Sequence, residues 1–83
     1  MAELWQTRNT VEWYLTEADR YEFMGQYENI PASIGMAQET LTSAMNDPEK
    51  DPRFDLVYER LQFCIDKKRE FYKDKIELAA KGS

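Results

Sequence analysis

An all-α fold of three helices, two long and a shorter one between them, follows from three observations. Apolar residues recur at helical spacing in three separate stretches. Prolines stand only at positions 31, 48 and 52, where those stretches meet. Residues 53–81 then run without proline or glycine. The expected helices cover about residues 2–27, 31–46 and 52–81 of a single domain, since 83 residues leave no room for a second.

Helix one has two possible starts. Asn9 or Thr10 can cap a helix opening at Val11, but Leu4 falls on the same side as Val11 and Leu15, which favours a start near Ala2. Its main apolar arc is Leu4, Val11, Tyr14, Leu15, Ala18 and Tyr21. A second arc, Trp5, Trp13, Phe23, Met24 and Tyr27, lies opposite, with Thr16 and Arg20 among its members. A surface helix of a monomer normally carries one such stripe. Gly25 is the weak point of this helix, and fraying is expected before Pro31.

Pro31 suits the first turn of helix two, whose stripe is Ile30, Ile34, Ala37, Leu41, Ala44 and Met45. Ala37 and Ala44 leave space for a neighbouring backbone. Asn46-Asp47-Pro48 stops the helix, and residues 46–52 form an exposed loop. Asp51 reads as the cap of helix three with Pro52 in its first position. The long helix, roughly 28 residues and about 42 Å, places Phe54, Val57, Tyr58, Leu61, Cys64, Ile65, Phe71, Tyr72, Ile76 and Ala79 on one arc. Acids at 55, 59, 66, 70 and 77 fall opposite, and Gly82 supplies a left-handed C-cap.

The net charge of −5 is unevenly spread. Residues 1–51 hold ten acids against Arg8, Arg20 and Lys50, a net of −7; residues 52–83 hold six acids against eight bases, a net of +2. An acidic front half disfavours direct binding to nucleic-acid phosphates or an anionic membrane. With one cysteine, Cys64, no intrachain disulfide can form, and no stretch reads as a signal peptide or membrane span. The expected location is cytoplasmic.

The chain has no histidine. That removes Ser-His-Asp and Cys-His catalysis, histidine metal sites and carboxylate–histidine di-iron chemistry. Neither an enzyme nor a cofactor is expected. Cys64, on the core arc without a base, reads as a buried structural thiol. Asp47, Glu49 and Asp51 alternate like the start of a calcium loop, but Pro52 stands where glycine is needed and Tyr58 where glutamate is needed. Three isolated glycines build no phosphate loop.

The second arc of helix one is the strongest functional lead. Burying Trp13, Phe23 and Tyr27 would remove about 500 Å² from water, worth at most about 12 kcal/mol. Leu56 and Phe63, two turns apart, likewise face away from the main arc of helix three. A partner-binding set of Trp5, Trp13, Arg20, Phe23, Tyr27, Leu56 and Phe63 follows, serving a non-enzymatic adaptor, inhibitor or assembly factor. The partner is a protein, self included, because a symmetric oligomer would cover the face of a small core. Two alternatives use other features: an acidic mimic that blocks a nucleic-acid-binding protein, and an oligomer holding a nucleotide-like ligand at its subunit junctions. A structural explanation competes with all three, in which helices two and three wrap helix one from both sides.

Overall fold

The computed structural model describes residues 4–81 and contains four α-helices and one 3-10 turn, with no strand among those residues. Helix α1 spans Leu4–Phe23, the 3-10 turn Tyr27–Asn29, α2 Ile30–Met45, α3 Phe54–Phe71 and α4 Lys73–Lys81. The early start of helix one is met as far as it is described, with Asn9 and Thr10 inside α1. Residues 1–3 and the Gly82 cap lie outside the described residues. Among the described residues no helix is long and apolar enough to cross a membrane.

Helix α1 closes four residues before its expected end. Gly25 takes φ +74°, which costs a glycine little. Its N–H reaches the Glu22 carbonyl at 3.0 Å, and the Gln26 N–H reaches that of Tyr21 at 2.8 Å. This bond pair is the Schellman motif. Tyr27 therefore sits in the 3-10 turn and not on α1, correcting its place in the second arc. Half-buried there, it packs against the core under the Lys75 ammonium, 4.9 Å from its ring centre.

Pro31 occupies the first turn of α2 as expected, and Asn46 caps its end. The loop that follows is built from short side-chain bonds. Asp47 accepts the Glu49 N–H and Asp51 accepts the Arg53 N–H, each at 2.8 Å. The Asp51 carboxylate also takes the Arg53 guanidinium, at 3.1 and 2.7 Å. Those bonds hold its pKa down at about 2. The carboxylates that resemble a calcium loop are thus turn-forming groups. Because Arg53 is the cap, α3 opens at Phe54, two residues later than expected.

The single helix expected over 52–81 is interrupted at Tyr72, whose φ −99° and ψ 13° leave the helical region. Neither proline nor glycine causes the break. Tyr72 is 4% exposed, and its hydroxyl donates to Asp19 on α1. Beyond it, α4 lies against the 3-10 turn, with Ile76 half-buried and Lys75 bonded to Glu22 at 2.6 Å. Bending at one residue keeps α4 on protein instead of extending it past the end of α1.

The core is Val11, Leu15 and Ala18 from α1, Ile30, Ile34, Ala37, Leu41 and Ala44 from α2, and Phe54, Leu61, Ile65 and Tyr72 from the C-terminal third. Helix α2 runs between α1 and α3. Ser33 donates to the Tyr14 carbonyl at 2.5 Å on one side, and Gln38 and Gln62 exchange amide bonds at 2.8 and 2.7 Å on the other. Helices α1 and α3 run in the same direction, so Asp19 stands level with Lys68, 49 positions on. Two expected core residues are displaced from it. Cys64 is exposed, and Phe71 is 77% exposed. The buried arc of α3 is narrower than the sequence arc, because α2 covers one side of the helix and α1 reaches it mainly near Tyr72.

Candidate functional site

Between α1 and α3 lies an open groove of about 570 Å³, lined by Leu15, Leu61, Phe63, Cys64 and Phe71 among others. It continues toward the start of α3 as a second hollow of about 300 Å³, bounded by Arg8, Leu56 and Arg60. Glu12, Leu61 and Cys64 belong to both, so the two form one channel along the helices. The combined volume and apolar floor fall in the range of sites that hold a ligand or a partner side chain.

Helical spacing explains why the groove exists. Residues 54, 61, 65 and 72 turn inward, so Leu56, Phe63 and Lys67, two positions after 54, 61 and 65, face outward, and Arg60 and Phe71, one position before 61 and 72, lie between the two directions. On α1, Leu15 is the buried edge, while Glu12, Thr16 and Asp19 form the wall. Trp5 and Phe23, 18 residues apart or about five turns, lie in line near Thr16. They therefore flank the groove at its two ends.

The walls carry opposite charge. Glu12 and Asp19 stand on α1 together with Arg8, which pairs with Glu12 at 3.2 Å, and Arg60, Lys67 and Lys68 stand on α3. At the α4 end a polar clasp closes the channel: Lys68 reaches both Asp19 oxygens at 3.0 and 3.1 Å beside the Tyr72 hydroxyl. Burial first, and then the bond to Asp19, push the Tyr72 phenol pKa upward, so it stays a donor. Farther along, Lys67 lies 5.4 Å above the Phe63 ring.

The sequence-predicted set does not form one surface. Leu56, 82% exposed, and Phe63, 59% exposed, line the groove. Phe23 at 88% and Trp5 at 60% line neither hollow and stand on α1 beyond the last groove residues, Asp19 and Arg8. Trp13, 57% exposed, belongs to the opposite side of α1, in a shallow depression with Tyr14, Ala32 and Met36 of the α1–α2 junction. Arg20 pairs with Glu17, which raises the Arg20 pKa chiefly through that hydrogen bond. Tyr27 lies in the turn described above. Wrapping of helix one from both sides does not occur, since Trp5, Trp13 and Phe23 all stay exposed.

Sequence reasoning missed Cys64, Phe71, Arg60 and Lys67 as groove residues. A signal was present: Cys64 and Phe71 sit at the margin of the arc centred on Phe54, Leu61, Ile65 and Tyr72. The outward acids of α3 are mixed with bases and amides. Asp66 takes bonds from Gln62 at 3.0 Å and pairs with Arg69 at 3.7 Å, and Asp55 pairs with Lys50 at 3.2 Å. Among the described residues no group of three or more potential ligands is arranged to hold a metal ion. Comparison with models of protein families, with curated proteins and with solved structures returns no match.

Proposed function

We propose that the protein is a small non-enzymatic interaction module, an adaptor, inhibitor or assembly factor, that docks protein through the α1–α3 groove. One observation carries this reading. Leu56, Phe63 and Phe71 project along a continuous channel on the side of α3 away from its core. Large apolar side chains aligned in this way cost solubility unless something covers them. The groove has the form taken by an amphipathic helix face, with apolar anchors along the floor and charges on the rim to set register. No specific feature favours the acidic mimic, whose stripe is broken by Lys67 and Arg69, or the nucleotide-binding oligomer.

Cys64 reports on the groove from its floor. Its alkylation rate should be compared in dilute pure protein, in concentrated pure protein and in cell extract, for wild type and Phe63→Asp. The expected result is slowing of the wild type in at least one of the latter two conditions, abolished by Phe63→Asp. Equal rates in all three conditions would overturn the proposal. Trp13→Ala, on the other side of α1, is expected to leave both helicity and Cys64 protection unchanged.

A further inference from the structure

Resting on the docking role of the groove, we infer that its occupant is the same groove of a second copy, held by a two-fold axis parallel to α1 and α3. The levels of the residues carry the argument. Helices α1 and α3 run parallel with an offset of 49 positions. A two-fold axis along them exchanges the two walls and keeps every level. Residues of α1 then meet partner residues about 49 positions later. On that rule Trp5 meets Leu56, the Leu15–Thr16 edge meets Phe63, and Phe23 meets Phe71 of the second copy. The charged residues match as well: Glu12, which also pairs with Arg8 of its own chain, comes level with Arg60, and Asp19, held by Lys68 and Tyr72, comes level with Lys67.

The alternative two-fold axis, perpendicular to the helices, fails on charge. It would set α1 against α1 and α3 against α3, facing Arg60, Lys67 and Lys68 with the same bases across the basic wall. Charge complementarity thus selects the parallel axis. The area is also sufficient. Given the exposures of Trp5, Phe23, Leu56, Phe63 and Phe71 and about 200 Å² for each large side chain, their covering would bury about 700 Å² per copy. A stable interface needs about 800 Å² per partner, and the charged walls supply the remainder.

The test is a charge exchange read by light scattering. Glu12 and Arg60 are exposed, so Glu12→Arg and Arg60→Glu should keep the helical circular dichroism of wild type. Wild type is expected to show twice the chain mass within the range up to about 1 mM, the weak end of specific affinity. Each variant alone sets like charges opposite each other twice per dimer and should associate at least about tenfold more weakly. An equimolar mixture restores both opposite-charge pairs and should recover the doubled mass. Monomeric wild type across the range would overturn the dimer. The docking role would then be judged separately, by protection of Cys64 in extract but not in concentrated pure protein. A dimeric wild type whose mixed variants fail to recover would overturn the parallel two-fold geometry.

Discussion

The two sides of α1 solve the same packing problem differently. Toward α2 the contact is closed by small residues. Ser33, Ala37 and Ala44 fall on the side of α2 that bonds to the Tyr14 carbonyl, and Thr7, Val11 and Ala18 are buried on α1. Short side chains let two helices approach, and a buried hydroxyl is tolerated because a carbonyl accepts it. Toward α3 the facing residues are Glu12, Thr16 and Asp19 against Phe63, Lys67 and Lys68. Long and charged side chains hold those helices apart except where Asp19, Lys68 and Tyr72 meet. One seam supplies stability, and the other supplies a surface.

Mutations on each side sharpen the contrast. The largest effect is expected on the closed seam, where Ala37→Leu should destabilise by about 1–3 kcal/mol through overpacking. Urea unfolding followed by circular dichroism measures it, and a neutral result would mean the seam has slack. At the clasp, Tyr72→Phe removes one hydrogen bond to a half-exposed carboxylate and should cost about 1 kcal/mol. The same variant has a pH signature. Because the folded phenol pKa is raised above its ordinary 10.0, the contribution is complete below pH 10. Above that, the unfolded chain loses the proton first and stability falls as pH rises. Tyr72→Phe should show a shallower loss than wild type on the alkaline side, and equal slopes would remove Tyr72 from the account. The smallest stability effect belongs to the open side, where Phe71→Ser should stay within about 0.5 kcal/mol. A larger loss, measured in dilute protein, would show that the groove wall belongs to the monomer core.

Much of the fold was legible because its signals are local. Pro31 and the Asn46-Asp47-Pro48 stop are written in residues whose backbone preferences act within one turn. The weak point at Gly25 was also visible, though its consequence, the removal of Tyr27 from α1, depends on a bond pattern closing the helix. The interruption at Tyr72 had no local sign. It arises from a bond to Asp19, 53 positions away, and from a surface for α4 formed by the 3-10 turn. Cys64 and Phe71 were misplaced for a related reason. Periodicity shows which residues share a side of a helix, whereas the width of coverage is decided by the neighbours. Leu56 and Phe63 were found correctly as outward residues because they lie opposite the arc, where no choice of neighbour would bury them.

The division at Gly25 and Tyr72 also has a kinetic reading. Helices α1 and α2 form a hairpin whose contacts close over a short turn, whereas the Asp19–Tyr72 tether spans 53 positions. Short loops close at lower entropic cost. The hairpin is therefore the expected nucleus, with α3 and α4 joining after the rate-limiting barrier. In stopped-flow experiments Ala37→Leu should slow refolding, while Tyr72→Phe should act almost wholly by speeding unfolding. The last piece to join would then be the wall that carries Phe63 and Phe71, so the molecule acquires its sticky face only after its core has formed.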